Sequence, residues 1–146
     1  MTVSAAPEEV FLVFRPRAAS AGLRWWQRLF TDRHRAHVVA LLPLGPERAL
    51  ALDHAGSVLS VELVEMPAEQ AARGLMWSWD GEALRVQPRA VARRAALRPP
   101  MTCVEVAKAL LGVHDWRVLT PRHLRRAAIG LGARPVAPYA PVLAGG

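Results

Sequence analysis

Residues 99–112 read PPMTCVEVAKALLG. Pro99 and Pro100 bar a helix from forming before this stretch. Thr102 is a good N-cap residue, and Glu105 stands three positions later at capping-box spacing. Gly112 suits the C-terminal stop. The segment therefore predicts a helix whose first residue is Cys103, the only cysteine of the chain. At that position the unpaired backbone N–H groups and the positive end of the helix dipole favour a thiolate over a thiol. The same groups can hold a developing oxyanion. A small buried core residue fits the position equally well, because cysteine is among the most buried residue types.

Working outward, the N-terminal half predicts an antiparallel meander. Glu9 to Arg15 (EVFLVFR) is continuously apolar and reads as a strand buried on both faces. Ala21 to Phe30 (AGLRWWQRLF) fits a short amphipathic helix. Its Trp25 and Trp26 suit a substrate cleft or membrane surface, or simply cap the core. Thr31 to Ala36 is a polar loop. His37 to Leu42, Arg48 to Asp53 and Val58 to Val64 then form three strands with short turns between them.

Farther on, Pro67 to Arg73 reads as a short helix ended by Gly74. Leu75 to Trp79 and Ala83 to Gln87 read as two short strands about an Asp80-Gly81 turn. Residues 88–100 form an Arg- and Pro-rich connection before the cysteine helix. His114 to Leu119 is irregular or a short strand. Thr120 and Pro121 cap a last helix to about Leu131. The expected fold is α+β: an antiparallel sheet of five to six short strands packed on the cysteine helix and two or three shorter helices. One domain spans residues 1–131, and the Pro/Ala/Gly-rich tail 132–146 is extended or disordered.

A nucleophilic cysteine needs a base, and five histidines are available. With the first hairpin turn centred near Gly45, His37 faces Asp53 across the ladder. Directly opposed residues are close enough for a carboxylate to accept from an imidazole N–H. Such a pair leaves the second ring nitrogen for a thiol. A one-residue slip would substitute Leu52 or His54. His54 is thus an alternative orienting group and His34 a further polar contact near the site. His114 and His123 belong on the surface. Both His37 and Asp53 also suit plain polar strand ends.

The order of strand-start His, acidic residue on the next strand and Cys at a helix N-terminus resembles the circularly permuted papain-like fold. That group includes NlpC-type peptidases and lecithin retinol acyltransferase-like enzymes. The segments Arg24-Trp25-Trp26, RAHVVAL (35–41), TCVEVAK (102–108), Leu110-Leu111-Gly112 and VLTP (118–121) are similar to small uncharacterised phage and prophage proteins. The similarity runs from about Phe11 to Arg126. It implies Cys103 as nucleophile, His37 as general base, Asp53 as the orienting residue and the Cys103 N–H as an oxyanion donor. Gln27 and Gln70 are candidates for a second donor by residue type. The implied activity is hydrolysis or acyl transfer at an amide or peptide bond, of a peptidoglycan-like substrate among others, without a cofactor. The alternative is a non-catalytic phage protein that assembles with tail or neck components.

Composition bounds these readings. The chain has 146 residues, 52% hydrophobic and 21% charged, with a formal charge of +7. One cysteine excludes an internal disulfide, and no Cys/His cluster has structural zinc spacing. No basic run followed by an apolar core opens the chain, so a cytoplasmic protein or particle component is expected. No apolar run approaches a membrane span. The charge invites a nucleic-acid reading. Of the 19 basic residues only Lys108 is a lysine, a bias that fits ordinary surface positions in a GC-rich coding sequence. The clusters Arg89, Arg93, Arg94, Arg98 and Arg122, Arg125, Arg126 lack interleaved aromatics for base stacking.

Overall fold

A computed structural model describes residues 8–17, 25, 34–55, 58–89 and 102–139. Among these, the order is β1 (Val10–Arg15), β2 (His37–Pro43), β3 (Ala49–Ala55), β4 (Val58–Val64), α1 (Ala68–Trp79), β5 (Glu82–Val86), α2 (Cys103–Leu111), α3 (Pro121–Gly130) and β6 (Arg134–Pro135). The six strands form one antiparallel sheet in the order β4-β3-β2-β1-β5-β6. The fold is α+β.

The apolar run of β1 decides this arrangement. Val10 to Phe14 are all 0–1% exposed, so the strand must be central and covered on both faces. On one face Val10, Leu12 and Phe14 join Val38, Ala40 and Leu84 beneath α2 and α3, through Val104, Ala107, Leu111, Leu124 and Ala128. On the other, Phe11 and Val13 join Leu41 and Ala83 beneath Ala68, Ala71, Ala72 and Met76 of α1. The period-2 alternation of side chains turns one strand into the midplane of three layers. The cysteine helix, at nine residues, is the shortest of the three described helices, not the longest as expected.

The second helix signal was cut short in the sequence reading. α1 runs through Gly74 to Trp79, so residues 75–79 are helical and form no strand. A glycine inside a helix costs about 1 kcal/mol. Burial of Met76 and packing of Leu75 and Trp79 against the sheet exceed that cost. Asp80, with φ 50°, ends the helix, and the Gly81 N–H donates to the Met76 carbonyl at 2.9 Å. The Asp-Gly pair thus closes a helix rather than a hairpin. Residues 114–119 carry no strand. Of the segment after Leu131, Arg134–Pro135 pairs with β5 and Val136 is buried. The expected helix over 21–30 lies outside the described residues apart from Trp25, which is helical.

Two glycines on either end of α1's last turns separate conformational from steric effects. A methyl at Gly81 would run into the Phe14 carbonyl of the central strand, whereas one at Gly74 meets open space. Gly81→Ala should lower the unfolding free energy by about 1–3 kcal/mol, the usual cost of overpacking. Gly74→Ala should raise it by about 0.5–1 kcal/mol, the helix-interior difference between the two residues. Urea titrations of the two variants check both signs.

Candidate active site

Cys103 is the first residue of α2, and the cap is as expected: Thr102 is extended, and its Oγ1 accepts the Glu105 N–H at 3.3 Å. Gly112, at φ 68°, closes the helix in the left-handed region. The Glu105 N–H is therefore spent on the cap, while the Cys103 and Val104 N–H groups have no intrahelical acceptor by position. The Glu105 carboxylate accepts from Lys108 Nζ at 2.7 Å, and both side chains are mostly buried. Lys108 thus offsets the one negative charge in the first turn, which would otherwise oppose a thiolate. Cys103 is half-buried and free.

His37 opens β2 and is 8% exposed. Its Nε2 lies 2.5 Å from Asp53 Oδ1. The expected pairing is present, but by a different route. The ladder places Asp53 opposite Val39, with Leu42 opposite Leu50, a shift of two residues from a turn centred on Gly45. His37 is thus the diagonal neighbour of Asp53. A two-residue shift keeps both on one face, and the imidazole is long enough to span the diagonal.

Cys103 stands near enough to the His37 ring to act on its titration. With Nε2 held by Asp53, Nδ1 is the ring nitrogen left for the thiol. The three candidates read from the sequence, Cys103, His37 and Asp53, are brought together with the histidine in the middle. Burial by itself favours the neutral ring. The hydrogen bond to Asp53, the influence of Cys103 and the Asp53 charge outweigh it and raise the His37 pKa to about 9. Asp53 shifts the other way. Its hydrogen bond to His37 lowers its pKa against an opposing burial effect, helped by the charges of His37, Arg15 and His54. At neutral pH the pair is an imidazolium–carboxylate ion pair.

The remaining candidates divide. His54 is buried on β3, where its charge acts on Asp53. His34 is exposed. Trp25 is 76% exposed and does not cap the core, while Trp26 and Gln27 lie outside the described residues. Gln70 is exposed on α1. His114 and His123 are exposed, as expected.

Arg35 donates to Glu82 Oε2 at 3.3 Å, and Glu82 also takes a forked pair from Arg125 of α3, with Nε–Oε2 and Nη2–Oε1 both 2.7 Å. Burial pushes the Glu82 pKa up, but the arginines prevail and lower it. This cluster ties the approach to His37 to α3 and commits Arg125 of the second arginine cluster. Neither Arg35 nor Glu82 stood out in the sequence as a pair, since 47 residues separate them.

A cleft of about 400 Å³ lies between α1 and strands β2 to β4. Its walls include Val39, Leu41, Leu75 and Trp79, with Asp53 and Glu62 as the charged groups. It reaches Asp53, so the carboxylate has one side toward His37 and one toward open space. Among the described residues no group of three or more His, Cys, Asp or Glu is arranged to hold a metal, and no helix is long and apolar enough to cross a membrane.

The raised His37 pKa ties stability to pH. The stabilisation is fully present below the unfolded value of 6.5 and is lost as pH rises through about 9. The rise corresponds to about 3 kcal/mol at 1.36 kcal/mol per unit. Asp53 contributes oppositely: its share is present above the ordinary 3.8 and is lost as pH falls through its lowered value. Urea unfolding between pH 6 and 9.5 should show a decline that His37→Gln flattens. No family model matches the chain, and neither does any curated protein or solved structure.

Proposed function

We propose that the protein is a thiol hydrolase or acyltransferase built on a permuted papain-like framework, with Cys103 as nucleophile. The observation that carries this reading is the buried His37 ring bonded to Asp53, with its pKa raised to about 9 against that burial by the carboxylate and by Cys103. A histidine that only filled a strand end would need neither partner. Perturbed titratable groups gathered around a half-buried thiol at a helix N-terminus mark a functional site.

The chemistry follows from the arrangement. His37 takes the Cys103 proton as the sulfur is engaged, so that a thiolate attacks beside an imidazolium. Sγ attacks the carbonyl carbon of an amide or thioester, a C–S bond forms, and the carbonyl electron pair moves to oxygen. The Cys103 and Val104 N–H groups at the start of α2 face that oxyanion. The tetrahedral adduct collapses, the bond to the leaving amine or thiol breaks, and His37 gives that group its proton. Water or an amine then attacks the thioester while His37 takes up a proton, and the C–S bond breaks to restore the thiol. Asp53 stays ionised throughout and holds the ring by Nε2.

The reading includes an amide or peptide bond as the substrate class, a cell-wall peptide among them, and a phage or prophage setting. The nucleic-acid alternative loses ground because Arg125 is engaged with Glu82.

Alkylation by iodoacetamide at neutral pH tests the reading directly. Cys103 should label rapidly, and His37→Ala should slow it by about tenfold or more, since reactivity follows the thiolate fraction. Asp53→Asn should slow it less. With a thioester or activated-ester substrate, intact-mass measurement should find an acyl adduct that Cys103→Ala lacks. Equal labelling rates with and without His37 would overturn the assignment.

A further inference from the structure

Among the described residues, the two edges of the sheet are treated differently. The β6 edge is two residues long and consists of Arg134 and Pro135, a short edge carrying a charge and a proline, the usual devices against strand addition. The β4 edge is longer and has no proline. It is seven residues of VLSVELV with a single charge, and its first six residues are exposed. Val58, Val61 and Leu63 are each more than half exposed. Val61 and Leu63 continue an apolar strip inward, because they pair with Leu52 and Leu50 of β3.

The sequence of this edge states what completes it. About Val61, VLSVELV is a palindrome except that Ser60 mirrors Glu62. Antiparallel strands related by a two-fold axis pair residues at equal distances on either side of the centre. Centred on Val61, the pairing sets Val58 against Val64, Leu59 against Leu63 and Ser60 against Glu62 of the partner subunit. Apolar residues meet apolar residues, each Ser60 hydroxyl faces a carboxylate that can accept its hydrogen bond, and the two glutamates are diagonal rather than directly opposed. A register centred one residue later would put Glu62 directly opposite itself, which is destabilising.

We infer that the protein forms a two-fold dimer by antiparallel pairing of β4 with β4 of a second copy, joining two six-stranded sheets into one. The paired segment is about 24 Å long at the usual rise per residue. Ser60 and Glu62 also line the cleft that reaches Asp53. The dimer therefore sets Glu62 of the partner subunit at the outer wall of that cleft. The inference is independent of whether Cys103 is a nucleophile.

Sedimentation velocity of the full chain over a concentration series should show a reversible monomer–dimer equilibrium. Val61→Lys, which places two ammonium groups face to face at the axis, should yield monomer with unchanged far-UV circular dichroism. Trp77→Lys, an exposed change on α1, should leave the dimer intact. In a Cys103→Ser background, Val61→Cys should form an intersubunit disulfide under mild oxidation, since opposed antiparallel residues fall within disulfide reach. Leu59→Cys, which faces Leu63, should not. A chain monomeric at every concentration, or a Val61→Lys variant that dimerises like the parent, overturns the interface. A disulfide through Leu59→Cys and not through Val61→Cys overturns the register.

Discussion

Everything in this molecule depends on a strand that has no wet side. Five consecutive β1 residues, Val10 to Phe14, are buried on alternate faces of the sheet, so neither face can be left to solvent. One helix on one side and two on the other complete the cover. That requirement also locates the candidate site. α2 packs chiefly on β2 and β3, and its first residue, Cys103, acts on His37. A cysteine at a helix start and a histidine at a strand start meet because the same apolar run demands both elements.

Electrostatics then specify the meeting. His37 is nearly inaccessible, and burial alone would leave it neutral. Asp53 and Cys103 reverse that preference, and the raised His37 and lowered Asp53 pKa values are two views of one ion pair. Around it, charges are committed rather than spare. Glu105 is matched by Lys108, and Glu82 by Arg125 and Arg35. In a chain of net charge +7, these acidic groups are used where basic ones would otherwise crowd the strand end that holds His37.

The sheet is closed at one margin and open at the other. β6 ends it with an arginine and a proline, while β4 ends it with a near-palindrome of apolar residues. Strand edges are templates, and exposure of an unguarded one is seldom neutral for a soluble chain. The cleft beside β4 reaches Asp53, so whatever occupies that edge borders the same carboxylate that orients the His37 ring.

Much of the local structure was legible from residue types alone. Thr102 and Thr120 cap their helices, Gly112 ends α2, and the continuous run of β1 marks a central strand, because each depends on neighbours within a few positions. The members of the site were legible too: one cysteine, one histidine at a strand start, one aspartate on the next strand. Their geometry was not. Gly74 stops an isolated helix, but burial of Met76 against the sheet carries α1 onward. A hairpin turn sets which face a residue takes, but the ladder's register moved by two and made the His37–Asp53 contact diagonal. The Arg35–Glu82–Arg125 cluster and the β6 pairing join residues far apart in the chain, and no local pattern encodes them. Sequence determined the elements and the chemical groups, since propensity and capping act over one turn. Tertiary packing decided where helices end, which nitrogen meets which oxygen and how the histidine is charged, since burial and Coulomb interaction depend on distance in space.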